Sequence, residues 1–103
     1  MAGCATTQST TPADCEAYGI RNTHARPARS FNALWAEQIE ATCGKNKAGC
    51  AIERPDGTVD IYWQHGDDCA MRHELAHLIC GPYHTVEYTQ ARIAGENMRR
   101  FCK

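Results

Sequence analysis

The sequence predicts a single α+β domain in which a helix, a β-hairpin, a central helix and a C-terminal helix follow one another and are stapled by disulfides. Three observations carry that prediction. Apolar residues recur at helical spacing after Ser30, an alternating run follows Pro55-Asp56-Gly57, and a stretch from Cys69 to Cys80 is bounded by strong start and stop signals. Seven cysteines in only 103 residues add the covalent staples.

Residues 1–14 read as separate from the domain at 15–103. Ala5 to Asp14 has no apolar periodicity and suits a flexible tether. Ser30 is the expected N-cap of a first helix carrying Phe31, Leu34, Trp35, Ile39 and Cys43 inward and ending at Gly44. Cys50–Arg54 and Thr58–Gln64 follow as strands joined by Pro55-Asp56-Gly57. Val59, Ile61 and Trp63 alternate with Asp60, Tyr62 and Gln64, so the second strand is expected to bury one face.

The central helix is expected from about Cys69 to Cys80. Asp67 or Asp68 supplies the N-cap, while Gly81-Pro82 ends it, because Gly accepts a left-handed C′ conformation and Pro cannot continue a helix. Met71, Leu75, Leu78 and Ile79 form an apolar arc, with Cys69, His73, His77 and Cys80 on the other side. A last helix, about Val86 to Phe101, offers Tyr88, Ala91 and Met98 as contacts. The chain contains no internal repeat.

His73-Glu74-Leu75-Ala76-His77 lies inside the central helix. Residues four apart on a helix are separated by ~40° and ~6 Å, so both imidazoles can reach one metal ion, with Glu74 beside them. A catalytic zinc takes three protein ligands and a water, lowers the pKa of that water to roughly 7, and needs a carboxylate to accept the proton. Glu74 is placed for that role. His84, seven residues after His77 and just past Gly81-Pro82, is the favoured third ligand, because a chain that reverses at the break returns its ring to the metal.

The segment His73 to His84 resembles the zincin class of zinc peptidases, and within it the metzincin arrangement of helix, glycine turn and third histidine. Its pattern is HExxHxxxGxxH, one residue longer before the glycine than the metzincin motif, and Met98 falls in the expected last helix and not in a methionine turn. The Gly-Pro step is also similar to that of WLM-type peptidases, which place the third His directly after Pro where this chain has Tyr83. Gluzincins use a downstream glutamate, which makes Glu87 the alternative third ligand. The resemblance implies a pared-down zincin core, zinc bound by His73, His77 and His84, and Glu74 as general base; Tyr83 and Tyr88, near these residues in sequence, are the candidates whose hydroxyl aids the oxyanion. It also implies a sheet edge beside the active helix that pairs with an extended peptide or protein substrate.

Cysteine usage points to an oxidising compartment. Cys15, Cys43, Cys50, Cys69, Cys80 and Cys102 allow fifteen connectivities, of which three fall away because Cys69 and Cys80 are ~16 Å apart on one helix, beyond the ~7 Å limit. Cys43–Cys50 is the easiest local pair. Cys69 and Cys80 are then left to tie the central helix to Cys15 and Cys102. Met1-Ala2-Gly3-Cys4 resembles the end of a bacterial lipobox, which implies a lipid on Cys4 and a membrane-anchored place on the periplasmic side of the cell envelope, or secretion. A net charge of −1 gives no electrostatic case for nucleic acid. Arg21, Arg26 and Arg29 around His24 read as a solvated loop.

The functional expectation is zinc-dependent peptide hydrolysis by a small disulfide-stapled lipoprotein. The alternatives are a non-catalytic zinc-containing binding module of the envelope and, with less support, a metal-free disulfide-rich interaction protein. Expressed in a bacterium behind a lipoprotein signal, the chain is expected in the detergent phase on phase separation, and Cys4→Ser is expected in the aqueous phase. Equal partitioning of the two would refute the anchor.

Overall fold

The computed structural model describes residues 12–102. Cys4 and most of the tether lie outside that range. The elements are α1 (Pro12–Ala17), β1 (Ala28–Leu34), α2 (Ala36–Cys43), β2 (Gly49–Glu53), β3 (Val59–Gln64), α3 (Asp68–Cys80), α4 (Val86–Ile93) and a short 3₁₀ turn (Met98–Phe101). The fold is mixed α+β. Its three strands lie in the order β1-β3-β2, with β1 parallel and β2 antiparallel to the central β3. Helix α1 starts at Pro12, inside the stretch expected to be tether.

The first expected helix is corrected at its N-terminal half. Ser30 is not an N-cap but a residue of β1, paired with Asp60 in register, and its hydroxyl donates to Asp60 Oδ1 at 2.7 Å. Phe31 and Trp35 owe their helical spacing to no core, being 57% and 62% exposed. The inward side chains of β1 include the polar Ser30 and Asn32, whose amide donates to Ser30 Oγ and the Ile61 carbonyl, so apolar periodicity carries no strand signal there. Helix α2 begins only after Trp35, whose N–H is taken by the Gln38 side chain at 2.9 Å.

The hairpin forms as expected. Gly57 supplies the positive φ of the turn, and Asp56 Oδ1 accepts from the Thr58 N–H and hydroxyl, which holds its carboxyl below the usual range. Strand β3 does not bury one face only. Val59, Asp60 and Ile61 are all buried in succession, because β3 is the middle strand and both its faces are covered. Asp60 survives there through Ser30, Arg29 at 3.3 Å and Arg54 at 3.4 Å.

Helix α3 packs on β3 and β2. Its buried residues are Ala70, His73, Glu74, Ala76, His77 and Cys80, so the histidine side faces inward while Ile79 of the expected apolar arc is exposed. The expected last helix breaks at Ala94-Gly95, where Gly95 takes a φ of 73° and the chain turns back into the 3₁₀ turn. Apolar burial is spread over small groups, Cys15, Ile20, Ala76 and Cys80 in one and Tyr88, Ala91 and Phe101 in another, with Ile39, Val59, Ile61 and Ala70 buried besides.

Cores this small need covalent help. The pairs are Cys15–Cys80, Cys43–Cys50 and Cys69–Cys102, with Cα separations of 5.9, 5.6 and 5.2 Å. Each of α3's two cysteines therefore ties it to one end of the domain. Loop-closure entropy grows with the sequence separation of the joined residues, 65 for Cys15–Cys80 against 7 for Cys43–Cys50. Replacing both members of the first pair by Ala should cost about 4 kcal/mol and of the second about 2. Urea unfolding of the two double variants checks the order, and a larger loss from the short loop would contradict it.

Candidate metal centre

Helix α3 starts where Asp67 accepts the Ala70 N–H at 3.0 Å and stops at Gly81, whose N–H returns to the His77 carbonyl. Gly81 has a φ of 119°, and a Cβ there would run into the Thr23 side chain. That close approach exists because residues 20–26 wrap the carbonyl end of α3. Thr23 and His24 donate backbone N–H groups to Cys80 O, Arg26 donates its own to Leu78 O, and the Arg26 guanidinium donates to His77 O at 3.0 Å. Carbonyls that a helix end leaves without partners are thereby satisfied.

His73 and His77 stand one turn apart with their rings edge to face, 4.8 Å between centroids. His73 Nδ1 is 2.9 Å from Tyr18 O and His77 Nδ1 is 2.8 Å from Gly81 O. Since a carbonyl only accepts, both Nδ1 atoms carry the proton and each Nε2 is left with its lone pair. His84 is brought in by an antiparallel bridge between its backbone and Ile20, and by the ring of Tyr88, stacked on it at 4.4 Å. Tyr88 also stacks on His73 at 4.9 Å, and Gly19 is needed beneath it because a Cβ would meet the ring.

Ligand atoms of His73, His77 and His84 all lie within 4.8 Å of one another, and the Nε2 atoms of His73 and His84 are 3.1 Å apart. Tetrahedral zinc with Zn–N bonds of ~2.0–2.1 Å sets its ligand nitrogens ~3.3 Å apart. The donor set and spacing fit a metal of that kind. Burial drives the His73 pKa down to about 3 and that of His84 to about 4, and lowers that of His77, so all three rings are neutral, the form that binds metal. The carbonyl partners on His73 and His77 fix the orientation in which those rings would meet a metal.

Glu74 is 7% exposed, and burial raises its pKa to about 8 against the opposing charges of Lys47 and Arg92. It reaches the centre past Gly49, where a Cβ would sit 2.9 Å from Glu74 Cγ and 2.6 Å from Tyr62 O. A cavity of about 220 Å³ is bordered by His73, Glu74, His77 and His84 on one side and by Gly49, Cys50, Ala51 and Glu53 of β2 on the other. Strand β2 is at the sheet edge, so its free side opens beside the centre.

The structure brings together four residues expected from the sequence, His73, Glu74, His77 and His84. It leaves out two. Glu87 is exposed and faces Arg100 at 3.9 Å, outside the histidine group. Tyr83 is 55% exposed with its ring facing the Arg21 guanidinium, since neighbours in an extended stretch point to opposite sides and His84 takes the inner one. Tyr88 is the tyrosine of the site. The sequence reading also missed Arg26, taken as solvated. It is buried, donates to Glu53 at 2.8 Å as well as to His77 O, and holds the turn of the second histidine. No local signal distinguishes it from Arg21 or Arg29; only the tertiary contact does.

Comparison of this chain with known protein families, with curated proteins and with solved structures finds no match.

The burial of Glu74 has a pH signature in the metal-free protein. Its folded pKa lies above the unfolded 4.5, so the folded chain keeps a proton that the unfolded chain releases, and this group makes stability fall as pH rises from 4.5 to about 8. Glu74→Gln should gain little near pH 4.5 and up to about 3 kcal/mol near pH 7. Denaturant melts of both proteins in chelator across that range check it; a difference independent of pH would be the contrary result.

Proposed function

We propose that the chain is a zinc peptidase of the cell envelope, held by a lipid on Cys4 at the periplasmic face. The observation that carries the reading is the convergence of His73, His77 and His84 beside a buried carboxylate at the free edge of a strand. Three disulfides support an oxidising compartment, and the lipid anchor rests on the Met1 to Cys4 sequence. Among the described residues the metal-ligand group holds three members, and all six described cysteines are bonded to each other. A structural zinc site is closed by four protein ligands, so a three-histidine shell favours catalysis over the non-catalytic module.

Zinc held by these histidines supplies a Lewis acid that polarises a substrate carbonyl and acidifies water. The chain's own groups do the rest. An extended peptide pairs with the free side of β2, which aligns its backbone across the cavity. Glu74 takes a proton from the attacking water and returns it to the leaving amine, a task suited to a carboxylate whose pKa is raised towards neutrality. The hydroxyl of Tyr88, kept protonated by burial, is the donor available to the charge that develops on the carbonyl oxygen.

Zinc content and turnover test this separately. Glu74→Gln should keep about one zinc per chain and lose peptide hydrolysis by more than ~10²–10⁴-fold, whereas His73→Ala, His77→Ala and His84→Ala should each lose most of the metal. Glu87→Ala should bind zinc as the parent does. Hydrolysis that survives Glu74→Gln would remove that residue from the mechanism, and a zinc-loaded parent inert towards a broad peptide mixture would favour the binding module.

A further inference from the structure

Cations gather along the cleft without acids to match them. Lys47, in the loop closed by Cys43–Cys50, and Arg92, in the last turn of α4, both border the 220 Å³ cavity and an adjoining one of about 430 Å³. Arg99 borders the larger. Arg26, Arg29, Arg54 and Arg100 each lie against a carboxylate, yet among the described residues no ion pair includes Lys47, Arg92 or Arg99. The acids on the walls of the larger cavity are Glu74 and Asp67, and Asp67 is engaged in capping α3.

This is a local excess of positive charge in a chain whose net charge is −1. All three side chains are exposed, so their charge is available to an incoming group. Lys47 and Arg92 line the same cavity as His73, Glu74, His77 and His84, which places both charges beside the histidine group. They also come from different elements. Lys47 precedes the edge strand β2, and Arg92 projects from α4, next to the Tyr88 hydroxyl.

We propose that Lys47 and Arg92 form a clamp for a carboxylate of the substrate, within one or two residues of the scissile bond. A group laid along β2 advances ~3.3 Å per residue, so a carboxylate that near the cut stays beside the cavity that both cations line. The larger cavity, floored by Tyr88, Met98 and Phe101, takes the apolar part of the side chain that carries it. The carboxylate is that of an acidic side chain or of the peptide's own C-terminus. This inference rests on the peptidase reading for its substrate and on the two cations for its chemistry.

Calorimetry on zinc-loaded Glu74→Gln, which binds without turnover, separates the sources. The probes are the acetylated, amidated tetrapeptide Ala-Ala-Glu-Ala against its Gln counterpart, and acetylated tetra-alanine with a free against an amidated C-terminus. The carboxylate member of at least one pair should bind roughly tenfold tighter, as a charge-assisted contact of ordinary strength requires, and the preference should vanish when Lys47→Ala and Arg92→Ala are added. A preference in the first pair assigns a side-chain carboxylate, and in the second a terminal one. Equal binding within both pairs overturns the proposal, as does a preference that survives the loss of both cations, since the carboxylate would then lie on the metal. Digestion of a peptide mixture by the zinc-loaded parent reports on the peptidase reading alone: no cleavage alongside a cation-dependent carboxylate preference would discard the peptidase and keep the clamp.

Discussion

The carbonyl end of α3 is the point on which the molecule turns. A helix that ends inside a protein must find partners for its last C=O groups, and here residues 20–26 supply them while Cys15–Cys80 ties the same helix end covalently to α1. The arrangement that satisfies the helix also builds the site. Tyr18 O orients His73, the Ile20 bridge carries His84 inward, Gly19 accepts the Thr85 N–H, and Arg26 grips the carbonyl of His77 itself. Stability and ligand geometry are thus one set of contacts.

A site of this composition is costly to keep in a small domain. Three neutral histidines and a carboxylate occupy the inward side of α3, where a helix of this length ordinarily places leucines. The burial they displace is replaced by staples and by specific polar contacts. Asp60 and Arg26 show the same economy, each buried and each held by named partners from other elements. Such residues favour a single arrangement over several similar ones, because any other packing leaves a buried charge without its partner.

What the sequence disclosed follows the reach of each signal. Caps, turns and the four-residue spacing of His73 and His77 act within one turn of chain, and the α3 limits, the hairpin and the histidine pair were all legible. The parallel strand β1 was not, since Ser30 and Asn32 point inward to polar partners on β3 and the exposed Phe31 and Trp35 mimic a helical stripe. On α3 the apolar arc does not mark the interior either: the histidine side is buried and Ile79 is exposed. Tyr88 over Tyr83, and the burial of Arg26, depend on contacts between elements that neighbouring residues do not encode.

The Tyr18–His73 contact spans 55 positions and the Cys15–Cys80 bond 65. Two histidines of the group and the buried carboxylate sit within five consecutive residues, yet the carbonyl that orients the first ring and the bridge that delivers the third come from the opposite end of the domain. Unlike modules whose ligands and supports are close neighbours along the chain, this one has no separable metal-binding peptide. A fragment holding α3 alone keeps the motif but not the centre. The smallest unit that can assemble it runs from Cys15 past Tyr88, and a chain emerging from synthesis completes it only after most of the domain has been made.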